Sequence, residues 1–391
     1  MAVDFKYIVV GRGLMGAAAA RHLARQVEGV AVIGPDEPAD RKAHNGVFAS
    51  HYDEGRITRT IDPDRNWALL ANRSIARYGE IARESGIDFY REVGCVVVAP
   101  DGSDYLERTR QAAVSLGVET SHLDGSGLKA AFPFFAFPDA AAGVFEVRGA
   151  GHISPRKLVK AQSLLAEKAG ATVIKDHAVS IREQGGLATV ETAGGMTYCA
   201  EKVLLAAGGF SIARNLLPRP VAMTVYGRTV TLFEVSEADA LRLAAMPSLI
   251  LDVPGIHIYL LPPIRYPDGK YYLKIGGDPD DLVLGDDAEM RAWFRTEGRE
   301  TVRAYLKRIV AGIVPDMAPL SISTAACVVS LTESGYPMIG YSSSPGIAVL
   351  TGCAGTSAKS SDEIGRLGAE LLLSGRISEQ GYSTDFTPYF R

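Results

Sequence analysis

The sequence predicts an α/β fold in which a Rossmann-like domain is interleaved with a second domain rich in antiparallel β-strands. Three observations predict it. A short apolar strand near the N-terminus runs directly into a glycine-rich turn and an alanine-rich helix. Strand and helix patterns of the same kind return in the middle of the chain and near its end. The segments between them are rich in β-strand patterns.

The N-terminal turn has the form of a dinucleotide-binding motif. Its glycines are Gly11, Gly13 and Gly16, and Leu14 and Met15 stand between the last two. The first glycine permits a tight turn, the second lets the backbone approach a pyrophosphate, and the third lets helix and strand pack closely. The helix N-terminus then offers N–H groups and a positive dipole end to the phosphates. The motif predicts a bound dinucleotide and leaves open whether it is NAD or FAD.

A second strand over residues 29–33 predicts a parallel βαβ start. Dinucleotide folds usually carry an acidic residue at the end of this strand, where it bonds a ribose hydroxyl. Gly34 and Pro35 stand there instead, and Asp36 and Glu37 are the candidates for that role.

Further elements follow from the spacing of apolar residues. Helices are predicted over 66–82, 157–168, 288–314 and 361–374. Strands are predicted within 89–99 around Gly94, and over 171–175, 188–192, 202–207, 224–226, 230–234, 256–261, 271–275 and 347–350.

The interleaving favours an FAD-binding domain, because a C-terminal glycine turn and helix that return to the nucleotide domain would help to hold a large flavin. We expect residues 1–85, 145–215 and 322–391 to form this domain. Residues 86–144 and 216–321 are expected to form the substrate domain.

Composition excludes several classes of partner. The net charge is −4 and no long basic run occurs, so nucleic-acid binding has no electrostatic support. No apolar stretch approaches the roughly 20 residues that span a bilayer, and the N-terminus lacks the pattern of a signal peptide. A cytoplasmic location without membrane contact is therefore expected. The four cysteines are too scattered for a disulfide framework or a metal site.

Four segments resemble the monomeric sarcosine oxidases. Residues 50–59 resemble the H-G-D-T-R-I-x-R segment of that family, and residues 204–211, with Gly208, resemble the glycine turn beside its flavin. Residues 327–340 resemble the segment that begins with the covalent-flavin cysteine, and residues 352–361 are in frame with G-x-x-G-H-G-F-K-x-S. The chain is identified as a member of the D-amino-acid oxidase superfamily, in the branch with sarcosine, N-methyltryptophan, pipecolate and fructosyl-amino-acid oxidases.

The resemblance implies roles for five residues. Arg59 and Lys359 would bind a substrate carboxylate, and Arg56 would lie against the flavin ring and stabilise its reduced, anionic form. Lys274 would lie over the flavin as the cation that speeds oxygen reduction, and Tyr259 would line the pocket. The alternatives are surface charges for the two arginines, an edge-strand lysine that blocks aggregation, and a core aromatic.

The resemblance also implies that Cys327 forms a thioether to the flavin. Such an attack needs a thiolate near positive charge, and the alternative is a small buried hydrophobe. Cys353 is expected only to pack. The cofactor-binding residues expected for FAD are Gly11, Gly13, Leu14, Met15, Gly16, Asp36, Ser50, His51, Arg56, Gly208, Cys327, Gly352, Gly355, Thr356 and Lys359.

Two departures from the family bear on the substrate. Asp278 stands where sarcosine oxidases carry a histidine, and Thr356-Ser-Ala358 replaces H-G-F. We therefore expect a bulkier secondary amino acid or a sugar-derived amine rather than sarcosine. The predicted enzyme is a monomer that oxidises the C–N bond of this amine to an imine and reduces O2 to H2O2. The alternatives are a dehydrogenase that passes electrons to a quinone or a protein, and a flavin subunit of a larger complex.

Overall fold

The computed structural model describes residues 3–378 and 381–391, and it confirms the predicted mixture of helices with parallel and antiparallel strands. The helices of the described residues are α1 (Leu14–Ala24), α2 (Arg65–Ile75), α3 (Tyr78–Ser85), α4 (Asp104–Ser115), α5 (Gly125–Ala131), α6 (Pro155–Lys168), α7 (Glu237–Arg242), α8 (Asp287–Phe294), α9 (Glu300–Ile313) and α10 (Ser361–Ser374). None of these helices is long and apolar enough to cross a membrane.

The strands of the same residues are β1 (Phe5–Val10), β2 (Val30–Ile33), β3 (Arg56–Thr58), β4 (Tyr90–Arg91), β5 (Cys95–Pro100), β6 (Ser121–Leu123), β7 (Ala141–Glu146), β8 (Gly151–Ile153), β9 (Thr172–Ile174), β10 (Ala178–Gln184), β11 (Leu187–Thr192), β12 (Thr197–Leu205), β13 (Thr224–Val235), β14 (Ser248–Val253), β15 (Ile256–Arg265), β16 (Tyr271–Gly276), β17 (Leu282–Leu284), β18 (Ser321–Leu331), β19 (Met338–Tyr341) and β20 (Ile347–Thr351).

One sheet joins the start, the middle and the end of the chain. Its order is β10-β11-β12-β1-β2-β9, and β20 pairs with β12 and with β19. Strands β2, β1, β12 and β20 run parallel, as the predicted βαβ start requires. Helix α1 packs against both α6 and α10. Its small residues permit this contact, because a Cβ at Gly365 of α10 would lie 2.5 Å from the Cβ of Ala18.

The other large sheet has the order β17-β13-β16-β15-β14-β5-β7-β6, with β18 on the free side of β13. Its pairs are antiparallel except for β14 with β5. One face packs on α9, whose apolar stripe of Val302, Leu306 and Val310 is buried. Strands β3, β8 and β4 form a small third sheet.

Two predicted helices are each broken into two. The helix predicted over 66–82 is interrupted between α2 and α3, where Arg77 turns to contact Asp362 and Glu363 of α10. The helix predicted over 288–314 is interrupted between α8 and α9, where Gly298 has a φ of +84°. Apolar spacing carries no mark of these breaks, because both flanking helices keep the same period.

The strands around Cys327 differ from the predicted ones. The two strands predicted over 224–226 and 230–234 form one continuous strand, β13. Strand β18 was not predicted, yet it pairs with β13 along its whole length. The predicted domain boundary at residue 322 thus falls within β18, a strand of the antiparallel sheet, and the two-domain division stays a prediction.

Candidate functional site

A cavity of about 630 Å³ lies at the carboxyl ends of β1, β2, β12 and β20. Open parallel sheets bind their ligands at this edge, in the crevice where the strand order reverses. The cavity therefore collects residues from the start, the middle and the end of the chain. Ten of the predicted cofactor-binding residues lie in its wall: Gly11, Gly13, Leu14, Met15, Ser50, His51, Arg56, Gly208, Cys327 and Gly355.

The glycine turn between β1 and α1 fits a pyrophosphate. Gly11 has a φ of +109°, and a Cβ there would lie 2.3 Å from the carbonyl oxygen of Ala206. A Cβ at Gly16 would lie 1.9 Å from the carbonyl oxygen of Gly11, so helix and strand could not pack as they do. Within the described residues, no side chain caps α1 and its first turn carries no acidic residue. The first N–H groups of the helix are left for a bound phosphate.

His51 presents an unpartnered polar atom at the cavity wall. Its Nδ1 is buried and has no hydrogen-bond partner among residues 3–378 and 381–391. Burial and the charges of Arg156, Arg12 and Arg56 lower its pKa to about 3, so the imidazole is neutral. A buried polar atom without a hydrogen-bond partner costs free energy. The Nδ1 of His51 would therefore suit a hydrogen bond to the polar edge of a bound ring.

Arg56 and Lys274 share one carboxylate below the cavity. The Lys274 Nζ donates to Oδ2 of Asp53 over 2.5 Å and to the carbonyl of Gly55 over 2.7 Å. Arg56 donates to the same oxygen of Asp53. Burial and the charge of Arg56 lower the pKa of Lys274 to about 8, although Asp53 opposes that shift. Burial acts to raise the pKa of Asp53, but the two cations outweigh it and hold that pKa far below its usual range.

A second cluster repeats this arrangement around Asp62. Its Oδ2 lies 3.1 Å from Nζ of Lys359 and 3.3 Å from Nη2 of Arg59, and all three side chains are buried. Two cations share the carboxylate of Asp62, and the buried Glu146 is a second carboxyl group that acts on both of them. The Nη1 of Arg59 is buried and unpartnered among the described residues. This cluster can therefore accept a further anion.

Comparison with known proteins decides the family. The profile of the family described as "DAO: FAD dependent oxidoreductase" matches residues 6–371, most of the chain. The chain belongs to this family of FAD-dependent oxidoreductases. It is 25% identical over 385 residues to "Monomeric sarcosine oxidase" of Bacillus sp. (strain B-0618), over 96% of this chain and 94% of that relative. It is 23% identical over 315 residues to "N-methyl-L-tryptophan oxidase" of Yersinia pestis (strain Pestoides F), over 80% of each chain.

A solved structure confirms the fold. The open form of NikD, described as an unusual amino acid oxidase essential for nikkomycin biosynthesis, superposes with a TM-score of 0.77 at 18% identity. The match covers 100% of this chain and 98% of that one. Because the family is FAD-dependent, the dinucleotide predicted from the glycine turn is FAD rather than NAD. The cavity, the glycine cradle and the unpartnered His51 all fit that cofactor.

Gly34 occupies the position of the missing ribose acid for a steric reason. A Cβ at Gly34 would lie 2.5 Å from the Cβ of Arg12 and 2.7 Å from its backbone nitrogen. Asp36 pairs with Arg12 and with Lys175, and its side chain is 57% exposed. The structure therefore does not bring Asp36 to the cavity wall, and its contact with FAD stays a prediction.

Adding a methyl group at Gly34 is expected to disturb the FAD cradle. The variant Gly34→Ala must push Arg12 and the end of β2 apart, at a cost of about 1–3 kcal/mol in the free energy of unfolding. We expect a lower melting temperature and less flavin bound after purification. Gly79→Ala is the control, because its Cβ meets nothing within 4 Å on helix α3 and alanine is the better helix former, so it should not destabilise the protein. Equal flavin content and stability in both variants would contradict the steric argument.

Cys327 lies beside a cation at the 630 Å³ cavity. Its Sγ is 3.6 Å from Nη2 of Arg56, and its carbonyl accepts a 2.7 Å hydrogen bond from Trp293 Nε1. Strand β18 places the thiol in the wall of the cavity. The neighbouring guanidinium meets the electrostatic requirement of a reactive thiolate. Covalent attachment to FAD stays a prediction.

The structure excludes the alternative interpretation of Lys274 as an edge-strand lysine that blocks aggregation. Strand β16 lies between β13 and β15, so Lys274 is on a central strand and cannot protect a sheet edge. Its side chain is 0% exposed, and Nζ lies 5.5 Å from the ring centroid of Tyr259. Tyr259 is thus brought to Lys274 and not to the cavity wall. Arg59 is buried and Arg56 nearly so, so neither arginine is a surface charge.

Other predicted residues lie outside the wall of the 630 Å³ cavity. They are Gly16, Gly352, Thr356, Lys359 and Arg59, and their contacts with FAD or substrate stay predictions. Asp278 is not in the cavity wall either. Its carboxylate accepts a hydrogen bond from the backbone nitrogen of Thr229 and pairs with Arg299 over 3.0 Å.

Sequence reasoning missed the two counter-ions, Asp53 and Asp62. Each stands three residues from an arginine of the motif, and this spacing was the one available signal. It also missed Tyr266, whose hydroxyl donates to Oδ1 of Asp53 over 2.8 Å. A second cavity of about 590 Å³ has both Asp53 and Tyr266 in its wall, and it shares Arg56 and Cys327 with the first.

Proposed function

We propose that this FAD-dependent oxidoreductase is an oxidase of a secondary amine that bears a carboxylate. It oxidises the C–N bond to an imine and reduces O2 to H2O2. The observation that carries the proposal is the pair of buried clusters in which two cations face one carboxylate, at Asp53 and at Asp62. The names of two relatives support it, because sarcosine and N-methyl-L-tryptophan are both N-methylated amino acids.

We propose that FAD occupies the 630 Å³ cavity, held by the glycine cradle, Ser50, His51, Arg56 and Gly208. The bound flavin supplies the acceptor for the hydride equivalent. Residues 1–85, 145–215 and 322–391 would form the domain that holds it, and 86–144 and 216–321 the domain that holds the substrate. The two sheets support this division, since each draws its strands mainly from one of these sets.

The cluster around Asp62 is proposed to hold the substrate carboxylate. Arg59 and Lys359 share one oxygen atom of Asp62, so a substrate carboxylate would give these two cations a further partner. The unpartnered Nη1 of Arg59 offers it a donor. Burial beside two cations strengthens both the Coulomb attraction and the hydrogen bonds of a bound anion.

The cluster around Asp53 is proposed to serve the reaction with oxygen. Lys274 has a pKa of about 8, so its Nζ is protonated at neutral pH. Arg56 adds a permanent positive charge at the wall of the FAD cavity. Together they hold positive charge where electrons pass from the reduced cofactor to oxygen, and such fixed charge stabilises the negative charge that develops.

The first test is oxygen consumption with N-alkyl and cyclic amino acids, with peroxide measured in parallel. The proposal expects one peroxide for each oxygen consumed. Turnover with an artificial electron acceptor but without oxygen uptake would favour the dehydrogenase. Turnover that appears only with a partner chain would favour a flavin subunit. We also propose a monomer, in line with the name of the sarcosine oxidase relative, and a cytoplasmic location stays a prediction.

Cys327→Ala is expected to convert covalently bound flavin into flavin that acid releases. The measurement is the absorbance of pellet and supernatant after acid precipitation. Cys353→Ala is the matched control, because that cysteine also lies in the cavity wall but burial raises its pKa to about 12. Its thiol is therefore protonated, and the control should keep yellow pellets. Flavin in the supernatant of the parent enzyme would remove the assignment of Cys327 and leave the oxidase proposal intact.

A further inference from the structure

A single carboxylate, that of Asp53, joins the two cations that the proposed function assigns to the reaction with oxygen. Arg56 and Lys274 donate to the same oxygen atom, Oδ2. The two donors come from different sheets, Arg56 from β3 and Lys274 from β16. Asp53 is therefore a bridge between the small sheet and the antiparallel sheet.

Asp53 is itself fixed from three directions. Its Oδ1 accepts from the hydroxyl of Tyr266 over 2.8 Å and from the backbone nitrogen of Glu54 over 2.7 Å. Its own backbone nitrogen donates to the carbonyl of His51 over 2.7 Å. The residue is only 9% exposed. Because both of its carboxylate oxygens are hydrogen-bonded, the Asp53 side chain is held in one orientation. It can therefore fix the positions of Lys274 and Arg56, which donate to it.

We propose that Asp53 is a positioning residue that fixes the ammonium of Lys274 and the guanidinium of Arg56 on one oxygen atom and sets the net charge that the flavin meets. The inference rests on the proposed function, because it gives the two cations the task assigned to them there. Asp53 acts through them and is not itself a group that touches oxygen.

The charges around Lys274 make this inference measurable. The charged groups that face Lys274 are Asp53, which precedes β3, and Arg56, which begins β3. Tyr259 of β15, Tyr266 of the turn between β15 and β16, and Cys327 of β18 complete its surroundings. Burial raises the pKa values of both tyrosines, so they are neutral. Asp53 is then the ionised carboxylate that raises the pKa of Lys274, against the effects of burial and Arg56. Its neutralisation lowers the pKa of Lys274 further, typically by 1–3 units for a partner at this distance.

The experiment compares the parent enzyme with Asp53→Asn. Each holoenzyme is reduced with dithionite, which needs no substrate, and its reoxidation by O2 is followed across pH. In the parent, the rate constant should fall as pH rises through about 8, where Nζ loses its proton. In Asp53→Asn the same fall should come at least one pH unit lower. An inflection at the same pH in both proteins overturns the inference.

The midpoint potential of the flavin gives a second readout that does not depend on turnover. Below both lysine pKa values, and above both, the variant carries one more positive charge than the parent. Its potential should then be higher, since positive charge stabilises the reduced, anionic form. Between the two pKa values the variant has lost the lysine proton as well as the aspartate charge, so the difference should shrink. A constant difference across pH contradicts the coupling of Asp53 to Lys274.

Two further variants separate charge, position and general damage. Asp281→Asn removes the same charge from an exposed ion pair with Arg228, and it should leave the pH dependence of reoxidation unchanged. Asp53→Glu keeps the charge and displaces it by one methylene, so it should keep the parent's inflection but lower the rate constant. It also provides the test if Asp53→Asn does not fold, and an unchanged rate constant would overturn the positioning argument. A parent that takes up flavin but does not react with O2 would instead overturn the proposed function.

Discussion

Replacing Lys274 by methionine is expected to slow the reaction of the reduced enzyme with O2 by about 10²–10³-fold, the usual effect of removing one preorganised electrostatic group. Reduction by substrate should change far less, because the carboxylate is proposed to bind at the other cluster. The measurement is rapid-mixing kinetics of each half-reaction. The variant should fold, since Asp53 keeps its bonds to Arg56 and Tyr266 and methionine suits an apolar strand interior.

Lys270→Met is the matched control for Lys274→Met. Lys270 lies in the same hairpin, but its side chain is 52% exposed and pairs with Glu234 over 3.0 Å. Both half-reactions of this control should equal those of the parent. If Lys274→Met slows both half-reactions equally, the lysine does not act on oxygen and the assignment is wrong.

The part of the site that the sequence predicted is local in the chain. Gly11, Gly13 and Gly16 lie within six residues, and Gly11 and Gly16 are needed because a backbone passes close by, which a motif can encode. The membership in the FAD-dependent family followed from such segments and is confirmed. Lys274 could also be singled out, because a lysine in an apolar strand is rare without a partner.

The part that could not be predicted depends on contacts between distant segments. Asp53 is 221 residues from Lys274, and Asp62 is 297 residues from Lys359. No single sequence states that such pairs meet, because the pairing follows from the packing of the sheets. Gly34 shows the same limit. The absence of an acidic residue was visible, but its cause, the approach of Arg12, was not.

The second cluster makes a different demand on the protein, because it buries two cations side by side. Asp62 cancels one of the two charges and also accepts from the backbone nitrogen of Asp64 over 3.1 Å. Without this carboxylate, two buried cations would repel each other and be costly to bury. With it, both cations have a counter-charge. The Nη1 of Arg59 is still unpartnered among the described residues, and it is the donor proposed for a substrate carboxylate.

Arg59→Met is expected to lower kcat/KM for a carboxylate substrate by about 10²–10³-fold, because truncating one partner of a buried charge pair costs about 2–5 kcal/mol in binding. Asp62 stays paired with Lys359 in this variant, so the cluster loses one positive charge and its free donor and should attract an anion far less. The decisive comparison uses the amide of the same substrate, which the parent should process poorly and the variant no worse. Arg108→Met, at an exposed position on α4, is the control and should match the parent. If both substrates lose the same factor in Arg59→Met, the arginine supports the fold and does not select the carboxylate.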